Sequence, residues 1–546
     1  MEQKYQRFML FTIAIVASLL GAFAQSTASA QSFGRRMGIS HHTLPALANA
    51  TFLSQTSRGR QLDIAVGLNA ADTAALNARI EQISDRNSPL YHQFLTPAQF
   101  ADQFGPSQGD YEAVVNYLTA NGLTVTAVYP NRLVVEAHGN VTQVEQAFGV
   151  KINDYIQGNQ VFFANDRDPQ LPPAIASVVS SVKGMENYLA LHHHARLHAN
   201  SHAHGASTPT GFTPQQIATA YDFNAVYNQG YTGGGQTIAI ATAYGFSPTD
   251  VAKFWNNYGI PAPKYSTVAI GGATRYIDTE TTLDLEQSGA MANGATFIVY
   301  EAATPSLSTF ESVYNKIVSD NKASVVTTSW GLCEQQMPSA YLKADSAIFA
   351  EATLQGQTWF AAAGDSGSND CGTSTLAVDY PSSDPNVGAV GGTSLTLTDS
   401  GAIASESAWS GSGGGVSTVF TQPTYQTGPG VPNSGKRQTS DIAFNANPST
   451  GYPVYFNGSW AQYGGTSFGA PHWAAIFALV NSAHGNRIGA AGPTLYGLAN
   501  NQPVQKLTAF RDIVNGSNGH YTAGTTWDAP TGWGSPDVNN LVQDLK

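Results

Sequence analysis

The sequence predicts an α/β protein: a parallel sheet flanked by helices, preceded by a smaller α+β unit. Three observations carry that reading. From residue 210 onward, short and continuously apolar strands recur ("TIAIATA", "TFIVYEA", "SVVTTSW", "TWFAAAG" and "VGAVGGT"), several of them separated by helical stretches. Strands apolar on both faces belong to a sheet covered by helices. From about Leu62 to Tyr188 the hydrophobic period switches between two and 3.6 over short distances, the texture of a compact α+β unit. At 546 residues the chain also exceeds one core of ordinary size.

Taken in order, Lys4 and Arg7 precede an apolar run over residues 8–24, and "STASAQS" follows with Ala28-Ser29-Ala30 as a cleavage site. That pattern reads as a secretory signal peptide over residues 1–30, so the protein is expected outside the cell, with no membrane association once the leader is removed. In the first unit, "LDIAVGL" alternates as a strand, and "AADTAALNARIEQI" and "DYEAVVNYLTANG" have helical period. "LTVTAVYP" and "RLVVEAHG" read as strands joined by a turn at Asn131, "VTQVEQAFG" as a third helix and "QVFFAND" as a last strand. The order suits a ferredoxin-like split βαβ.

Next comes "LHHHARLHANSHAHGASTPT", with six of the chain's thirteen histidines. It reads first as a solvated linker over 191–208, second as a pH-sensitive hinge, and last as a metal tract, because no other ligand spacing supports a metal. The two cysteines, Cys333 and Cys371, can form a single bridge in an exported protein; neither sits in the setting of a catalytic thiol.

Charge is uneven. The net charge of −12 argues against nucleic acid as a partner. From residue 209 on there are 12 basic and 23 acidic residues. A segment so poor in cations accumulates little positive charge in acid, which reads as acid tolerance.

The chemistry-bearing stretch is "YGGTSFGAPHWAA", in which Ser467 opens a helix after two glycines and a threonine. Ser467 needs a base. After residue 209 the only histidines are His472, His484 and His520, all beyond Ser467, and "TIAIATAYG" carries no aspartate. A histidine triad in the order Asp, His, Ser is therefore absent. Carboxylates offer an alternative. "YIDTETTLDLEQSGAMANGA" reads as a helix capped by Asp278 or Thr279, and it places Glu280 and Asp284 four apart on one face. Like charges at that spacing repel and raise a pKa, which suits acid–base work; an ordinary solvated acidic face is the bland alternative. "TWFAAAGDSGSND" runs a strand into Asp365, where an oxyanion donor is needed; an aspartate donates there only when protonated.

These residues resemble the sedolisin family of serine-carboxyl peptidases, its kumamolisin-like members in particular. The matching motifs are "TETTLDLE", "TTSWG", "AAAGDSGSND", "GGTSFGAP" and "FRDIVNGSNGHYTAGTTWDAPTGWGSPD". The resemblance implies an activation prodomain over 48–190 that acts as an intramolecular inhibitor, and a peptidase domain over 209–546 with a subtilisin-like fold. It implies Glu280 as base, Asp284 as its orienting partner, Asp365 as oxyanion donor and Ser467 as nucleophile. It further implies one Ca2+ ion held by the side chains of Asp512 and Asp528 and the carbonyls of Ile513, Gly524 and Thr526. Thr526 stands where relatives commonly have glycine, and Thr242 where some carry a glutamate that extends the catalytic chain of hydrogen bonds. Trp330 and Gly331 are expected to pair with an extended substrate, and Asp379 to line a pocket favouring a basic side chain. The expected function is a secreted, acid-acting, monomeric endopeptidase on protein or peptide substrates, made as a self-processing zymogen. Carboxylates between prodomain and peptidase are expected to trigger release more than the linker histidines do. The rival reading is an inactive exported binding protein that keeps the fold.

Overall fold

The structure is a computed structural model that describes residues 36–199, 208–274, 276–501 and 509–545. The leader expected at 1–30 and His202 and His204 lie outside the described residues. No helix among the described residues is long and apolar enough to cross a membrane.

The larger unit is built on a sheet in the order Lys264–Ile270, Thr296–Ala302, Thr237–Ala243, Val325–Thr328, Thr358–Ala362, Gly388–Leu397, Ile403–Ala408, with Ile442–Asn445 also paired to Gly388–Leu397. Every pairing is parallel except that of Ile403–Ala408. The five apolar runs are strands of this sheet. Two further strands carry weaker signals: "KYSTVAI" is polar and largely exposed at the sheet edge, and "IAFN" is only four residues long. Two buried helices, Thr279–Met291 and Thr466–His484, pack against each other and the sheet. Asp278 caps the first by accepting the Glu280 N–H.

The smaller unit has an antiparallel sheet in the order Thr124–Val128, Val134–Asn140, Gln61–Leu68, Val179–Lys183, with the helices Thr73–Ser84, Gln108–Ala120 and Val141–Phe148. This is the ferredoxin-like arrangement. The turn between its first two strands takes its positive φ at Arg132 rather than at Asn131. The unit rests on the outer helices Leu307–Asp320 and Ser339–Leu354. One apolar cluster runs through the contact, including Leu76 and Phe100 on one side and Phe310, Ile317 and Phe349 on the other. Buried polar groups cross it too. Lys183 lies 2.5 Å from Asp345 Oδ1 and 3.3 Å from Glu311 Oε1, all three side chains buried, and Asn131 Nδ2 donates to Glu351 Oε2 at 2.7 Å.

Candidate active site

Glu280 and Asp284 lie on the buried first turns of their helix, both wholly shielded from solvent. Burial raises the pKa of each, and for Glu280 the neighbouring Asp284 adds to the rise. The Glu280 carboxyl interacts with the Ser467 hydroxyl, although neither Glu280 Oε1 nor Ser467 Oγ has a well-aligned hydrogen bond. Asp284 Oδ1 is 2.8 Å from Ser329 Oγ, which also lies 3.3 Å from the Ser467 carbonyl oxygen.

Pro471 explains that last contact. Proline has no N–H, so the carbonyl four residues earlier, that of Ser467, receives no helical hydrogen bond. The Ser329 hydroxyl stands there instead and ties the end of the Val325–Thr328 strand to both Asp284 and the Ser467 turn. The serine inside "TTSWG" thus has a positioning place that the sequence reading did not assign; the residue four before Pro471 was the available signal.

Asp365 follows the Thr358–Ala362 strand. Its Oδ1 accepts from the backbone N and hydroxyl of Thr466, both at 2.8 Å, while Oδ2 is buried without a hydrogen bond. Burial raises its pKa. His472 has no part in this cluster. It is buried, with Nδ1 2.6 Å from the Phe468 carbonyl and its ring stacked on Phe444, and burial lowers its pKa to about 4.

The cleft between these groups is filled by the chain's own residues 192–198. This corrects the reading of that stretch as a solvated linker. His192–His193 pairs antiparallel with Trp330–Cys333, as His192 opposite Gly331 and His193 opposite Trp330. Arg196–Leu197 pairs with Ser459–Gly464, as Arg196 opposite Gly464 and Leu197 opposite Tyr463. Both sides of the cleft thus add a strand, which satisfies backbone groups that solvent would otherwise take. Ala195 N donates to Glu280 Oε2 at 3.1 Å. A Cβ on Gly465 would collide with the His194 carbonyl oxygen and stand 2.6 Å from Asp365 Oδ2, so both oxygens flank one point. Gly465 has φ +116° there, a conformation that glycine adopts without strain. Arg196 Nε lies 3.3 Å from Asp365 Oδ2.

Known proteins match over these same elements. The family model described as the Pro-kumamolisin activation domain matches residues 48–188, and that of the subtilase family matches residues 266–534. Sedolisin of Pseudomonas sp. (strain 101) is 31% identical over 529 residues, 90% of this chain and 88% of the relative. Kumamolisin of Bacillus sp. (strain MN-32) is 32% identical over 519 residues, 89% of this chain and 92% of the relative. The chain belongs to the sedolisin family. A solved structure of Pseudomonas sedolisin, a serine-carboxyl proteinase complexed with two molecules of pseudo-iodotyrostatin, superposes with TM-score 0.56 at 32% identity, covering 62% of this chain and 98% of that one. As a sedolisin-family serine peptidase with an activation prodomain, the protein acts on peptides and is restrained by its own N-terminal unit.

In this sedolisin-family chain the expected substrate contacts fall beside residues 192–194. Trp330 is buried, its indole donating to Thr242 Oγ1 at 2.9 Å and packing edge-on against His193. Gly331 is required by close approach, because a Cβ there would collide with Asp379 Oδ1. Asp379 is buried, its carboxyl facing that of Asp370 and 3.4 Å from His194 Nε2. Asp370, a second acid of the pocket, went unassigned in "GDSGSND"; its place just before Cys371 was the signal. Cys333 and Cys371 are bridged at this pocket's edge.

The C-terminal motif forms a separate loop cluster. Asp512 Oδ2 accepts from Thr526 N at 2.9 Å and Asp528 Oδ2 from Gly524 N at 3.0 Å, so both carboxylates converge on one loop. Burial pushes Asp528 up to about 6, with the Asp512 charge adding to the rise. Ile513 is buried beside Asp512. Thr526 has φ +67°, a left-handed conformation that glycine adopts with less strain. Two like charges facing one loop, with no cation among the described contacts, fit a divalent ion bound by oxygen ligands.

Proposed function

We propose that this is the zymogen of a secreted serine-carboxyl endopeptidase active in acid, which cuts itself between His194 and Ala195. One observation carries the proposal: the chain crosses the Ser467 cleft as an extended strand on both sides, with the His194 carbonyl beside Asp365 and the Ala195 nitrogen on Glu280. In the cut, Ser467 attacks the His194 carbonyl carbon as Glu280 takes the hydroxyl proton, and Asp284 keeps Glu280 oriented and poised. The tetrahedral oxyanion needs a donor, and a protonated Asp365 Oδ2 supplies one. Glu280 then returns the proton to the Ala195 nitrogen as the bond breaks, and water releases the acyl group by the same steps in reverse. Ionised Asp365 would repel the oxyanion, so turnover requires acid. The pairing of Arg196 with Asp365 favours the ionised form while the segment is uncut. The acidic pocket of Asp379 and Asp370 suits a basic side chain such as that of His194. One Ca2+ ion at Asp512, Asp528 and the carbonyls of Ile513, Gly524 and Thr526 would neutralise the two carboxylates and fix the loop. We further propose export through the leader at 1–30 and a monomeric mature enzyme.

The test is hydrolysis of a denatured protein across pH by the wild type and by Ser467→Ala and Glu280→Ala. Activity confined to acid and lost in both folded variants supports the assignment. Substantial turnover by folded Glu280→Ala sinks it.

A further inference from the structure

We propose that His192 and His194 of the prosegment form, with Asp379 of the peptidase unit, a site for a divalent transition-metal ion of the Zn2+ type that clips the uncut chain into its cleft. The donor atoms of these three side chains all lie within 4.8 Å of one another. His194 Nε2 and Asp379 Oδ1 are 3.4 Å apart; the buried His194 Nε2 has no hydrogen bond, and the Asp379 carboxyl is shared with the adjacent Asp370. His194 is 3% exposed and Asp379 fully buried. Two ligands at roughly 2.0–2.1 Å from one tetrahedral ion stand about 3.4 Å apart.

The placement follows from the strand. In an extended segment residues i and i+2 share a face, so His192 and His194 point together while His193 turns toward Glu280 and Trp330. The rings of His192 and His194 are 5.2 Å apart and nearly perpendicular. The missing side chain of Gly331, opposite His192, makes room for the Asp379 carboxylate. Two imidazoles and one carboxylate suit Zn2+, with a fourth position left for water or for the nearby Asp370. His192 is exposed, which gives the ion a way in from solvent. The sequence ranks metal binding last for this stretch because no other ligand spacing supports it; the third ligand, Asp379, lies 185 residues beyond His194.

Two of the three ligands belong to the prosegment, so the ion bridges the two units. The site exists in the uncut chain whatever the chemistry of Ser467; that both histidines depart with the prodomain rests on the proposed cut after His194.

The experiment uses the full-length Ser467→Ala precursor at pH 7, with Zn2+ titrated by calorimetry, Co2+ as a spectroscopic probe and thermal melts with and without Zn2+. The account predicts one Zn2+ per chain, a tetrahedral Co2+ spectrum and a raised melting temperature. His192→Ser should weaken binding by at least about 10-fold. Asp379→Asn should do the same, whereas His198→Ser/His202→Ser/His204→Ser should bind as the parent does. Unchanged affinity in both His192→Ser and Asp379→Asn, or loss confined to the His198/His202/His204 variant, overturns the site. No Zn2+ binding to the precursor overturns it as well. These readouts need no turnover, so failure of the peptidase assignment leaves them intact and is detected separately by the hydrolysis assay.

Discussion

Two of this molecule's clusters of buried acids are finished differently. At the cleft, Glu280, Asp284 and Asp365 are buried, and among the described residues no cation of the peptidase unit pairs with them. Glu280 Oε1, Asp284 Oδ2 and Asp365 Oδ2 have no hydrogen bond, and the groups that face Glu280 Oε2 and Asp365 Oδ2, namely His193, the Ala195 N–H and Arg196, come from the prosegment. At the contact between the units, Glu311 and Asp345 are equally buried but are closed by Lys183. A buried charge without a permanent partner is costly and persists where it does chemistry. A buried charge with a partner from another unit is a latch. In both places the N-terminal unit supplies the missing partner, so its departure opens the site and breaks the latch together.

The comparison can be broken most severely at the cleft. Ser467→Ala or Glu280→Ala should lower peptide hydrolysis by on the order of 10⁴-fold or more while the precursor stays folded and uncut, as seen by activity assay and circular dichroism. At the latch, Lys183→Met should leave two facing carboxyls unpaired and destabilise the precursor by about 3–5 kcal/mol. That is read as a lower melting temperature in the Ser467→Ala background. Adding Glu311→Gln and Asp345→Asn should recover most of the loss, and the mature enzyme released from the Lys183→Met precursor, which no longer contains that residue, should melt as the wild-type product does. A third pair of acids, Asp512 and Asp528, is the case where a metal would be the partner. Chelation or Asp512→Ala should lower the melting temperature of the mature unit, by about 2.7 kcal/mol of stability for Ca2+ at 100 times its Kd. An unchanged melt with no calcium by elemental analysis removes that site.

The smallest effect concerns pH and separates acids from histidines. Glu311 and Glu351 are pushed up to about 8 by burial, with Lys183 and Asn131 respectively pulling them down only in part. A carboxyl held high takes up its proton more readily when docked than when freed to about 4, so acid on this count favours the docked form. The expectation that carboxylates at the contact trigger release thus has the wrong sign. His92 has the right one. Burial against the peptidase unit, with His484 and Arg86 opposing its charge, lowers it to about 4. A base held low contributes docking stability fully above its free value of about 6.5, and that contribution is lost as pH falls toward about 4. His92→Gln should therefore move prodomain release to lower pH by a few tenths of a unit, roughly, because the group is only half-buried. A pH titration of precursor processing checks this.

Much of the site was legible because its parts are local. Each of Glu280/Asp284, Asp365 and Ser467 sits in a motif where spacing and neighbours state a chemistry, and the absent upstream histidine excluded the main alternative. The five apolar strands were legible for the same reason. What was not legible depends on distant pairing. Lys183 in "SSVKGMEN" looks like a surface lysine, and its partners lie 128 and 162 residues away. The histidine-rich stretch looks solvated because its composition is polar; only the strands at 330–333 and 459–464 make it part of a sheet. The place of Ser329 inside "TTSWG" is not legible locally, because the carbonyl freed by Pro471 lies on another element.

The central claim is that residues 192–197 occupy the cleft as the enzyme's first substrate. It is tested most directly by incubating the wild-type precursor in a pH series, with Ser467→Ala alongside, and sequencing the N-terminus of the earliest large product. The account predicts no cut near neutral pH, a cut in acid that Ser467→Ala lacks, and a first product beginning at Ala195. Complete processing at pH 7.5, or an earliest product that begins inside residues 62–188, would contradict it.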